Sequence, residues 1–95
     1  MLSKIPIDLK SVSDRDLDKE ILRAGLIAEY DAINLYEQMA ALAHGKDIKK
    51  VLLDVAKEEK EHVGEFQTLL LRLDREQVEE MEGGKEEVEE ITGSQ

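Results

Sequence analysis

The sequence predicts an all-α protein: an antiparallel two-helix hairpin with a short carboxyl-terminal helix, which dimerises into a four-helix bundle. Three observations lead there. Two stretches of roughly 28 residues carry apolar positions in alternating steps of three and four, the spacing of one helix face in a bundle. Between them lies the brief break His44-Gly45-Lys46-Asp47, too short for anything but an antiparallel return. And 95 residues with 41% hydrophobic and 3% aromatic content leave one hairpin too little core to stand alone, so it must pair with a second copy.

Residues 1–12 read as an amino-terminal extension, too short and too interrupted by Lys4, Pro6 and Asp8 for a signal peptide. The hairpin occupies residues 13–73. Ser13, followed by Asp14 and Asp16, has the character of an N-cap with acids in the first turn, and helical spacing then runs to about Ala43. Gly45 suits a left-handed position ending the first helix, and Asp47 is suited to cap the second, which runs to about Leu73. Residues 74–95 form an acidic segment with nine acids against Arg75 and Lys85. A short helix over residues 74–81 is expected there, ended by Gly83-Gly84, with another turn or two over residues 85–91.

Composition closes off several kinds of function. With no cysteine, thiolate zinc sites, iron–sulfur clusters and disulfides are excluded, so a metal would have to use oxygen and imidazole ligands. A formal net charge of -10 disfavours nucleic acid as a partner, and no apolar run approaches a membrane span.

The informative residues interrupt the stripes. In the second helix the stripe is Ile48, Leu52, Val55, Glu59, His62, Phe66, Leu69 and Leu73; in the first it is Leu22, Gly25, Glu29, Ala32, Tyr36, Met39 and Ala43. Each helix therefore turns ionisable groups inward near its midpoint. A buried carboxylate needs a cation, a hydrogen-bond network or protonation, and one metal would satisfy Glu29, Glu59 and His62 together. Glu59 and His62 are three positions apart and converge from one helix face. A ferritin-like di-metal site takes one Glu from each of two helices and Glu-x-x-His from each of the other two, and this chain encodes half of that set. Two copies give six ligands for two metals, with iron or manganese the natural occupants and zinc or cobalt able to use the same donors. Glu61 and Glu65 project away from the stripe, and His44 is accounted for by the helix end it follows.

The segments Glu29-Tyr30-Asp31-Ala32-Ile33-Asn34-Leu35-Tyr36-Glu37-Gln38 and Glu58-Glu59-Lys60-Glu61-His62 resemble the encapsulated ferritins, a ferritin-like group that also looks like half of a rubrerythrin; the resemblance covers about residues 22–73. It implies a ferroxidase whose dimer builds a di-iron site, assembled into a ring of dimers, a decamer in the family, and held in the cytoplasm inside an encapsulin shell. It implies Glu29 and His62 as terminal ligands, Glu59 as the bridging carboxylate, Tyr36 beside the metals, and Asp31 as an acid where metal is admitted. Two departures stand out. Ala28 occupies a position where relatives often carry a second admitting Glu, and Glu90-Ile91-Thr92-Gly93-Ser94-Gln95 lacks the Gly-Ser-Leu-type tail by which such cargo docks, which leaves a removed tail or fusion to the shell protein as the alternatives.

The expected function is thus oxidation of Fe(II) to Fe(III) with dioxygen for iron storage. Two alternatives compete with it. A rubrerythrin-like peroxidase would need the cysteine-held iron centre this chain cannot make, and a non-catalytic adaptor hairpin would use its buried polar residues only to fix pairing register.

Overall fold

The computed structural model describes residues 14–94, which form three helices and no strand: α1 (Asp14–Leu42), α2 (Lys46–Leu73) and α3 (Arg75–Thr92). Ser13, the expected cap of α1, lies outside the described residues. None of the three helices is long and apolar enough to cross a membrane.

α1 and α2 run antiparallel, because contacts climb one helix as they descend the other: Arg23 meets Asp74, Gly25 meets Phe66, Glu29 meets His62 and Glu37 meets Lys60. The connection is shorter than the sequence suggested. α2 already begins at Lys46, with Gly45 before it at φ -71°, ψ 129°, so Gly45 is extended rather than left-handed. Asp47 is accordingly not a cap; it lies inside the first turn, where its charge still faces the positive end of the helix dipole. What the turn asks of Gly45 is space, since a Cβ there would stand 3.0 Å from Ile48 Cδ1.

The seam of the hairpin also departs from expectation. Leu26, Ile33 and Ala40 of α1 and Ala56 and Leu70 of α2 are buried, whereas no stripe residue is. Ile48, Leu69 and Leu73 remain 59%, 44% and 50% exposed. The reason is rotational. Each helix has two adjoining apolar flanks; the one with small residues, Ala40 and Ala56, draws the two helices together, and the stripe forms the next flank round. Leu26, Ile33 and Leu70 each contribute about 1.5–3 kcal/mol by leaving water. The uncovered stripe and the projecting α3 together leave the chain with 7485 Å² of accessible surface, against about 5500 Å² for a compact protein of this mass. Its radius of gyration, 16.7 Å, exceeds the roughly 12 Å of a compact domain of this length.

Asp74 both ends α2 and starts α3. Its N–H donates to the Leu70 carbonyl (3.0 Å), while its carboxylate accepts from the Gln77 N–H (3.1 Å) and from Arg23 Nη2 (2.8 Å). The Gln77 hydrogen bond, aided by Arg23 and by the charge of Lys19, holds the Asp74 carboxyl below its ordinary pKa against an opposing effect of desolvation. α3 then runs unbroken through Gly83 and Gly84 to Thr92, and Gly93 at φ 70° caps it. The expected interruption is absent because a helical glycine costs only about 1 kcal/mol, and the Glu, Lys, Met and Val residues on either side keep the helix going. α3 buries no residue of its own; it turns off the hairpin axis, and the molecule measures 46 × 43 × 19 Å.

Candidate metal centre

Near the middle of the hairpin, Glu29 on α1 faces Glu59 and His62 on α2. His62 Nδ1 lies 3.4 Å from Glu29 Oε2 and 3.5 Å from Glu59 Oε2. One donor atom from each residue falls within 4.8 Å of the others, and among the described residues no other group of His, Cys, Asp and Glu converges in this way. The two carboxylates are largely shielded, at 17% and 19% side-chain exposure, while the imidazole is 45% exposed. Helix geometry accounts for the convergence: Glu59 and His62 are i,i+3 neighbours, and the antiparallel register sets Glu29 level with His62.

Glu29 Oε2 is buried and accepts no hydrogen bond. Leaving such an oxygen unmatched is costly, and a cation is the partner that two carboxylates and one imidazole would share. Two hard oxygens with one nitrogen suit iron, manganese or zinc in preference to softer ions. One turn away, the Phe66 ring packs on Gly25 so closely that a Cβ would be 3.3 Å from it, which closes one side of the cluster with an apolar wall.

The other anticipated residues lie outside this triad. Tyr36 is half-buried two turns along α1 from Glu29, on the same face. Asp31 is half-buried and about 200° round the helix from Glu29, so it points away from the cluster. Glu58, Glu61, Glu65 and His44 are exposed. Two contacts escaped sequence reasoning. The Lys60–Glu37 pair at 2.8 Å ties the helices beside the site, and Gly25 seats Phe66. Gly25 and Phe66 both lie on the stripes, but only the register of the folded hairpin shows which residue of one helix meets which of the other.

Comparison with known families matches residues 20–92 to the family described as Rubrerythrin. The chain belongs to the rubrerythrin family. Among its rubrerythrin-like relatives, it is similar to the "Ferritin-like-encapsulin shell fusion protein" of Pyrococcus furiosus, 65% identical over 74 residues, which are 78% of this chain and 21% of that protein. It is also similar to the "Encapsulin nanocompartment cargo protein EncC" of Myxococcus xanthus, 40% identical over 68 residues, 72% of this chain and 52% of that protein. The chain thus spans about a fifth of one relative and about half of the other. Its fold matches the crystal structure of the encapsulated ferritin domain from Pyrococcus furiosus with a TM-score of 0.84 and 55% identity, covering 98% of this chain and 97% of that one. Rubrerythrin-family proteins usually bind iron, which agrees with the donors gathered here.

Proposed function

We infer that this rubrerythrin-family chain is a ferroxidase, oxidising Fe(II) to Fe(III) with dioxygen as acceptor at a di-iron site completed by two copies, and that it serves iron storage inside an encapsulin nanocompartment. The observation that carries this reading is the buried Glu29 Oε2, which accepts no hydrogen bond, beside Glu59 and His62, three donors that make half a di-metal ligand set. Fe(II) is the substrate, and each ion gives one electron to dioxygen.

The chain's own residues hold and space the ions. Glu59 is the bridging carboxylate, Glu29 and His62 complete each iron, and Tyr36 stands close by on the same face of α1. Asp31, outside the triad, is assigned to the path by which metal is admitted. A ring of hairpins, a decamer in this reading, encloses no cage of its own, so the oxidised iron must collect in an external container. The names of the two curated relatives, a shell fusion and a nanocompartment cargo, support an encapsulin shell as that container.

The test is anaerobic Fe(II) loading followed by oxygen uptake, with metal content measured per chain. One iron per chain and oxygen consumption proportional to bound Fe(II) are expected. Turnover that prefers peroxide would favour a peroxidase, and no iron-dependent oxidation would leave a structural hairpin.

A further inference from the structure

The angle between α2 and α3 is closed by a contact some way from Asp74 itself. Gln67 and Met81 stand seven residues before and seven residues after Asp74. At about 1.5 Å per residue, each is roughly 10 Å from the joint along its own helix. Across the gap, Gln67 Nε2 donates to Met81 Sδ at 3.2 Å. Both side chains also line a largely apolar cavity of 450 Å³, together with Gln77 of α3 and Leu26, Tyr30 and Leu70 of the hairpin. Because α3 buries no residue of its own, few contacts hold its direction relative to α2, and a change at this one is felt along the whole helix.

A thioether in this place is open to chemistry. Met81 is 43% exposed, whereas Met39 is half-buried on α1. An accessible thioether is oxidised to the sulfoxide by hydrogen peroxide. The sulfur lone pair attacks one peroxide oxygen, the O–O bond breaks as the S–O bond forms, the sulfur gives up two electrons, and the second oxygen leaves as water with both hydrogens. The product is polar, and its oxygen is a stronger acceptor than the sulfur was. With the Gln67 amide bonded to that oxygen at about 2.9 Å, the sulfur is set roughly 1 Å further from the nitrogen than it now stands. Acting about 10 Å from the joint, this displacement opens the angle by about 5° and carries Ile91 outward by roughly 2 Å. The polar sulfoxide also fits the apolar cavity worse than the thioether does, which acts in the same direction.

We propose that Met81 is an oxidation site through which hydrogen peroxide opens the angle between α2 and α3, and that reduction of the sulfoxide closes it again. Two-electron reduction of dioxygen yields peroxide, so a chain that passes electrons to dioxygen meets this oxidant at its source. The site itself uses no metal, and it stands whether or not the ferroxidase reading does.

The absence of native cysteine lets two labels be placed cleanly. Lys50→Cys on α2 and Ile91→Cys on α3, both at exposed positions, carry maleimide nitroxides in the full-length chain. The labelled chain is kept free of iron, so that added hydrogen peroxide is the sole oxidant, and is co-assembled with an excess of unlabelled chain. Pulsed electron paramagnetic resonance then reads the distance within one copy, and peptide mapping follows each methionine. Peroxide should convert Met81 before Met39 and lengthen the label distance by about 2 Å, and a methionine sulfoxide reductase should reverse both. Met81→Leu, which keeps the bulk of the side chain and cannot form a sulfoxide, should hold its distance in peroxide. Oxidation of Met39 ahead of Met81, an unchanged distance with Met81 fully oxidised, or an equal lengthening in Met81→Leu would each overturn the proposal.

Discussion

Replacing Glu59 with alanine should move activity and metal-free stability in opposite directions. The carboxylate oxygens that Glu29 and Glu59 offer lie no more than 4.8 Å apart, in side chains less than a fifth exposed. Two unit charges at that separation repel by about 1 kcal/mol at the dielectric of water and about 3 kcal/mol at an effective value near 20. His62, between them at 3.4 and 3.5 Å, offsets part of this. Glu59→Ala relieves the remainder, so the metal-free protein should gain on the order of 1 kcal/mol, or roughly 4–8 °C in a domain this size. With metal the sign reverses. A ligand at a hundred times its dissociation constant stabilises the parent by about 2.7 kcal/mol, and the variant should lose most of that gain together with rapid Fe(II) oxidation. Thermal unfolding with and without Mn(II), alongside oxygen uptake on Fe(II) addition, reads both effects. Glu61→Ala, two residues on and exposed, should leave both nearly unchanged. If Glu61→Ala matched the loss in Glu59→Ala while His62→Ala kept the full oxidation rate, the site would be assigned to the wrong face of α2.

Three further outcomes are expected. Fe(II) or Mn(II) should shift the chain towards dimers and larger rings and a chelator should reverse this, since metal offsets the repulsion of facing carboxylates; sedimentation unchanged by metal would contradict it. The Asp74 carboxyl titrates below its ordinary value of 3.8 in the folded chain, so its contribution to stability is complete above that value and is lost as pH falls through the lowered one. Urea unfolding between about pH 5 and pH 2 should show a shallower acid decline in Arg23→Ala, which lacks the paired guanidinium. Gly84→Ala, with nothing within 4 Å of the added Cβ, should stabilise α3 by about 0.5–1 kcal/mol, whereas Gly25→Ala meets the Phe66 ring at 3.3 Å and should destabilise the hairpin; urea midpoints separate the two.

The hairpin and the triad were legible because both are periodic. Glu29, Glu59 and His62 fall on stripes whose spacing survives folding, and an i,i+3 pair converges whatever else the chain does. The seam was less legible, since Ala40 and Ala56 contribute little hydrophobicity yet decide which flank of each helix closes first. The local breaks were misread for a related reason. Glycine permits a left-handed turn or a helix end without requiring either, so Gly45 proved to be a matter of clearance and Gly83-Gly84 a tolerated weakness inside α3. The Arg23–Asp74 and Lys60–Glu37 pairs are 51 and 23 residues apart, and nothing local in the sequence marks them.

The joint at Asp74 makes α3 a lever. One residue terminates one helix and begins the next, and its bonds to Gln77 and Arg23 set the angle between them. With 18 residues beyond it, α3 is about 27 Å long, so a swing of about 10° at the joint carries its far end roughly 5 Å. Val88 and Ile91, exposed by 59% and 84% near that end, are thus aimed by a carboxylate some 20–25 Å away. Their reach towards any neighbouring surface follows the angle at this joint, which the Gln77 and Arg23 bonds to Asp74 and the Gln67–Met81 contact between α2 and α3 hold together.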